Sequence, residues 1–98
     1  MPAAALLTDT EIDQRLTALP DWTRDGNAIR RTAKAADFPT AIRIVVDVAE
    51  QAEEMDHHPD IDIRWRTLHF TLSTHSAGGL TALDFELAGR IDQVVAAH

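Results

Sequence analysis

The stretch from Ile61 to Leu72, IDIRWRTLHFTL, limits the possible folds more than any other part of this chain. Ile61, Ile63 and Trp65 alternate with Asp62 and Arg64, and Leu68, Phe70 and Leu72 alternate with His69, Thr71 and Ser73. Side chains on a strand point to opposite faces in turn, so this is the pattern of two half-buried strands. A hairpin centred between Arg66 and Thr67 sets Trp65 against Leu68, Ile63 against Phe70 and Ile61 against Leu72. Every apolar residue then meets an apolar partner on one face, which favours this register strongly. The turn lacks Asn-Gly chemistry, so a looser four-residue loop about the same centre is also compatible.

The elements around the hairpin follow from local signals. Thr8-Asp9-Thr10-Glu11 has the form of a capping box. Ile12, Leu16 and Leu19 then repeat at helical spacing until Pro20. Residues 22–24 and 28–32 read as short strands around the turn Asp25-Gly26-Asn27. Asp37 can cap the next helix, with Pro39 tolerated in its first turn. Phe38, Ala41, Ile42, Val45, Ala49, Ala52 and Met55 form an apolar stripe along that helix. Its end is expected near Met55, because Pro59 disfavours helical backbone at His58. Residues 74–79 are a loop with a Gly-Gly pair. Thr81 to Asp84 is another capping-box-like start, and it opens a last helix whose apolar face is Leu83, Leu87, Ile91, Val94 and Val95. The order is α-β-β-α-β-β-α. The expected fold is α+β in two layers, with helices packed on one face of a four-stranded antiparallel sheet.

The 98 residues leave room for a single domain spanning 1–98. A net charge of -7 offers no basic excess for a nucleic-acid backbone, so no direct nucleic-acid partner is expected. There is no cysteine, which excludes disulfides, thiolate chemistry and cysteine-based zinc sites. The N-terminal MPAAALLTDT lacks the basic start of a signal peptide, and no apolar run approaches a membrane span. A soluble, cytoplasmic protein is the expectation.

His57 and His58 stand side by side before Pro59, in a chain with five histidines. Histidine is the side chain whose ordinary pKa lies nearest neutral pH. The hairpin register, extended back from the turn, sets His58 opposite His75. The helix carrying Glu53 and Glu54 ends just before His57, and Asp84 lies in the first turn of the last helix. Three histidines and two or three carboxylates thus gather at one rim, beside the hydroxyls of Ser73 and Thr74. A cleft so lined suits a polar, planar heterocycle and proton transfer on it.

Other readings compete. An isolated histidine pair is most often solvated loop. Asp84 stabilises a helix start whether or not it has a chemical role. Glu53 and Glu54 read as solvated helix residues, Glu53 being the stronger candidate of the two for the site. His69 reads as a half-exposed strand residue, and Trp22 and Trp65 as core. His57, His58, His75 and Asp84 are acceptable zinc ligands by type, but adjacent residues are awkward joint ligands and no His-x-His or His-x-x-x-His spacing occurs.

Glu53, three residues, His57-His58-Pro59, five residues, Trp65, nine residues, His75, eight residues, Asp84: this combined spacing resembles the signature of the pterin-4a-carbinolamine dehydratases. The similarity extends to Trp22, to LSTH at 72–75 and to GGLT at 78–81. The resemblance implies dehydration of 4a-hydroxytetrahydropterin, a by-product of aromatic amino-acid hydroxylases, to quinonoid dihydropterin and water. It implies no metal or other cofactor, and a homo-oligomer, dimer or tetramer. It carries His57, His58 and His75 as catalytic histidines and Asp84 as a supporting acid. It carries Asp56, His57 and His58, with Ser73, Thr74, His75 and Ser76, as the pterin-binding segments. Ile61 and Ala35 depart from the pattern, each standing where relatives often have an aromatic. Some relatives of this fold also act as protein-binding cofactors that stabilise a partner's dimer. On the enzyme reading, His58 and His75 are the principal acid-base pair, His57 assists, and Asp84 orients a histidine.

Overall fold

The computed structural model describes residues 4–98; Met1 to Ala3, the start of the apolar N-terminal segment, lie outside the described residues. The elements run α1 (Asp9–Leu16), β1 (Thr23–Asp25), β2 (Ala28–Lys34), α2 (Phe38–Met55), β3 (Asp60–Arg64), β4 (Thr67–Leu72) and α3 (Ala82–Ala96), with a 3-10 turn at His75–Ala77 before α3. The order is the expected α-β-β-α-β-β-α.

Capping side chains set where each helix starts. Thr8 and Glu11 form the reciprocal capping box of α1, and Asp37 accepts from the Thr40 N–H at 2.8 Å to open α2. Thr81 and Asp84 do the same for α3. The end of α1 comes earlier than Pro20 requires. After Leu16 the chain tightens into turns in which the Ala18 N–H reaches Arg15 O and the Leu19 N–H reaches Leu16 O.

The strands pair antiparallel in the order β1-β2-β4-β3. One sheet face carries Ile29, Ala33, Leu68, Phe70 and Leu72, all buried. Against it pack Ile12 of α1, Ala41, Ile44 and Val48 of α2, and Leu87, Ala88 and Ile91 of α3, with Trp22 in the same cluster. Arg31 shares the parity of Ile29 and Ala33, yet its guanidinium escapes to Asp92 of α3, which also accepts from Trp22 Nε1 at 2.8 Å. Arg30, Thr32 and Lys34 lie on the opposite, exposed face.

Two expectations need correction. The hairpin is centred between Trp65 and Arg66, one residue earlier than expected, with Arg64 opposite Thr67, Ile63 opposite Leu68 and Ile61 opposite Phe70. Trp65 sits in the two-residue turn with left-handed backbone (φ 54) and is 69% exposed, not in the core. Shifting the centre by a whole residue keeps every apolar side chain on its face, so the alternation cannot separate the two registers. The choice is tertiary. The Arg66 carbonyl accepts from the Ala35 N–H at 2.8 Å, which ties the turn to the segment entering α2.

The second correction is the face that α2 buries. Thr40, Ala41, Ile44, Val48 and Ala52 point inward, with Val45 and Met55 partly covered. Phe38, Ile42 and Val46 are left 47%, 37% and 52% exposed. The helix carries two apolar stripes, and periodicity alone does not choose between them.

Candidate active site

The site begins where α2 stops. Asp56 takes left-handed backbone (φ 49) as the helix cap, its N–H bonding Ala52 O and Glu53 O. Aspartate tolerates this conformation better than most residues. The next N–H, of His57, also turns back to Ala52 O at 3.0 Å. This reversal sends the two histidines opposite ways. His57 is buried, whereas His58 stands in solvent with its Nε2 at 2.5 Å from Glu53 Oε2. The pairing of His58 with Glu53 gives that carboxylate a contact to the site which its helical position did not demand.

His57 ends on Asp84. Its Nε2 lies 2.7 Å from Asp84 Oδ1, and the carboxyl group is fully buried. The other oxygen, Oδ2, accepts from the Thr81 backbone N–H at 2.9 Å and from the Thr74 hydroxyl at 2.8 Å. Thr74 and Thr81 are themselves hydroxyl to hydroxyl at 2.8 Å, both buried. Asp84 therefore caps α3 and clamps the end of α2 in one act. The start of a helix favours a negative group. Oδ2 is committed as an acceptor, so an anionic carboxylate with His57 Nε2 donating satisfies every partner.

Thr74 directly precedes His75, as His57 directly precedes His58, so the Asp84 contacts join the two histidine-bearing segments. His75 opens the 3-10 turn and is exposed; Gly78 (φ 78) supplies the left-handed residue that ends it, and Thr74 bridges back to Gly79. The observed register would set His58 opposite Ser73, not His75. The two segments meet through Asp84 instead.

Of the other expected site residues, Asp56 and Ser76 are exposed at the same rim. Ser73 donates to Asn27 O at 2.8 Å and pins the end of β4 to the β1–β2 turn. Thr74 spends its hydroxyl inside the protein. His69 is a half-buried strand residue paired with Thr32, away from the site. Thr81 was legible in the sequence as a helix cap only; its contact with Thr74 was not.

Two grooves of about 510 and 530 Å³ lie elsewhere, one between α1 and the start of α3 and one at the exposed sheet face by Arg30 and His69. Neither contains His57, His58 or His75. The exposed imidazoles of His58 and His75 lie outside both grooves, on an open rim. Among the described residues, no group of three or more histidine, cysteine, aspartate or glutamate side chains is arranged to hold a metal ion.

The family model described as Pterin 4 alpha carbinolamine dehydratase matches residues 5–94, and the chain belongs to that family. A relative from Roseiflexus castenholzii, named as a candidate pterin-4-alpha-carbinolamine dehydratase, is 58% identical over 92 residues, 94% of this chain and 99% of its own. One of the same description from Nocardia farcinica is 61% identical over 89 residues, 91% of this chain and 94% of its own. The crystal structure of a transcriptional coactivator/pterin dehydratase from Brucella melitensis superposes with a TM-score of 0.88 at 35% identity, covering 91% of this chain and 97% of that one. A pterin dehydratase-like RuBisCO assembly factor of the alpha-carboxysome shares the fold, with a TM-score of 0.62 at 16% identity over 76% of this chain and 86% of its own.

Proposed function

We propose that this chain dehydrates 4a-hydroxytetrahydropterin to quinonoid dihydropterin and water, in pterin recycling after aromatic amino-acid hydroxylation. The observation that carries the reading is the clamp of His57 on buried Asp84, with His58 and His75 on the neighbouring residues and open to solvent. Loss of the 4a-hydroxyl as water requires a proton on that oxygen, and a proton must leave a ring nitrogen. His58 and His75 are the side chains free to meet the substrate and act as the acid-base pair. His57 assists the transfer, and Asp84 holds its ring in place. Asp56, Ser73, Thr74 and Ser76 belong to the segments that frame the pterin. Each acid-base contribution is typically about 100- to 10,000-fold.

The test is turnover of enzymatically generated 4a-hydroxytetrahydropterin by the wild type, His58→Ala, His75→Ala and the double variant. Each single change is expected to lower turnover roughly 10- to 1,000-fold, and the double to cost much less than their product, because groups acting as one unit are non-additive. Near-wild-type turnover in either single variant removes that histidine from the mechanism.

The Brucella relative's description as a coactivator favours one further reading, a protein-binding cofactor that stabilises a partner's dimer. A His58→Ala protein that loses turnover but still engages such a partner would separate the two roles.

A further inference from the structure

The hydroxyls of Thr74 and Thr81 meet each other and Thr74 meets Asp84 inside the protein, both threonines being buried. Counting hydrogens assigns their direction. Thr74 has one hydroxyl proton, and it goes to Asp84 Oδ2 at 2.8 Å. Thr74 Oγ1 therefore has only lone pairs left for Thr81, so in the 2.8 Å contact between them the Thr81 hydroxyl donates. Thr81 Oγ1 in turn accepts from the Leu83 N–H at 3.3 Å. Every proton in the chain points the same way, from the start of α3 through Thr81 and Thr74 into the carboxylate. The Thr81 backbone N–H adds a second donor at 2.9 Å. Oδ2 is thus filled by donors and carries no proton. With the carboxylate ionised, Oδ1 accepts from His57 Nε2–H at 2.7 Å, and in the neutral ring the lone pair then lies on Nδ1.

Nδ1 is the ring nitrogen of His57 that bonds to no described residue. Among the described residues, the buried side-chain nitrogens and oxygens without a hydrogen-bond partner are Arg31 Nε and Arg66 Nε alone. His57 Nδ1 has no hydrogen-bond partner among the described residues and is not one of these sealed atoms, so water can reach it although the His57 side chain is only 9% exposed.

We propose that Thr74 and Thr81 are positioning residues, whose one-way hydroxyl relay into Asp84 locks His57 in the Nε2–H tautomer and presents Nδ1 as a proton acceptor at the histidine rim. The catalytic consequence rests on the proposed dehydratase function; the tautomer itself does not.

The experiment is a long-range proton–nitrogen NMR correlation on the full chain labelled with nitrogen-15 histidine, read where the rings are neutral. The wild type is expected to show His57 protonated at Nε2 and bare at Nδ1. Thr74→Val keeps the shape and removes the relay, and its His57 is expected to become a mixture of tautomers. Thr74→Ser is expected to restore the single tautomer. In turnover, Thr74→Val should lower kcat about 10-fold with KM nearly unchanged, again rescued by Thr74→Ser, a smaller loss than the roughly 100-fold or more of removing an acid-base group, because the ring is misdirected and not removed. A wild-type His57 protonated at Nδ1 overturns the proposal without any variant, even if Thr74→Val fails to fold. An unchanged tautomer in folded Thr74→Val overturns it too, as does a serine variant that does not restore it. If the tautomer responds but no pterin is turned over by the wild type, the function falls and the relay stands.

Discussion

Asp84 accepts from three side chains or backbone groups of three different segments and has no exposed surface, so its loss strands several donors at once. A buried donor left unpaired costs about 1–3 kcal/mol, and breaking a buried charged pair about 3–5 kcal/mol. Asp84→Ala is expected to lower stability by roughly 3–5 kcal/mol by urea unfolding, whereas His58→Ala, on an exposed residue, should stay within about 0.5 kcal/mol. His57→Ala leaves Asp84 Oδ1 without its partner, so the His57→Ala/Asp84→Ala double variant should cost less than the sum of the singles. Strict additivity would mean that the 2.7 Å contact does not couple the two residues in solution. The neighbouring histidine has the opposite character: it is free to act because it stabilises little.

At the scale of elements, the helix caps make stability depend on pH. Hydrogen bonds from Thr8, its backbone N–H first and then its side chain, hold the Glu11 carboxyl below its ordinary pKa. Hydrogen bonds from the Thr40 side chain and backbone do the same for Asp37. A carboxyl whose pKa is lowered by folding binds its proton more readily when unfolded, so stability rises with pH through that range. The capping contribution is therefore complete above the unfolded-state value and lost as pH falls through the lowered folded-state value. Urea unfolding across the acidic range is expected to show this decline, and Glu11→Gln with Asp37→Asn to flatten it. Asparagine still caps, so Asp37→Asn removes the titration with little loss at neutral pH. An acid limb unchanged in the double variant would assign the decline to other carboxyls. The caps at Thr8, Asp37 and Thr81 were all legible in the sequence, because capping is a contact within four residues. The apolar face of α2 was not, because Phe38-Ile42-Val46 and Ala41-Ile44-Val48 are both good helical stripes.

At the scale of the whole molecule, no helix among the described residues is long and apolar enough to cross a membrane. The surface nevertheless holds large apolar residues: Phe38, Ile42 and Val46 along α2, and Ile63 and Trp65 at the hairpin, 40% and 69% exposed. Contiguous apolar surface commonly marks an association site. β3, at the sheet edge, also offers unpaired backbone groups. We propose that the protein is a homo-oligomer, dimer or tetramer, with the α2 stripe covered by a second copy. Val46→Glu is expected to give a smaller assembly by light scattering at micromolar concentration while the far-ultraviolet circular dichroism stays unchanged. A monomeric wild type would remove the reason for the exposed stripe.

The chain's own order of residues determined the alternation of β3 and β4, the caps, the element order and the identity of the histidines. Each of these depends on neighbours a few residues apart or on a repeat with period 2 or 3.6. The tertiary structure decided what local patterns leave degenerate. It chose between two hairpin registers of equal parity by bonding Arg66 O to the Ala35 N–H, and it sent Trp65 outward. It chose which stripe of α2 meets the sheet. Above all, it joined Asp84 to His57, 27 positions apart, and to Thr74, 10 apart. A lone carboxylate in a helix's first turn is stabilising anywhere. Only burial, which removes water as an alternative partner, compels this one to gather its donors from three segments and so to aim a histidine.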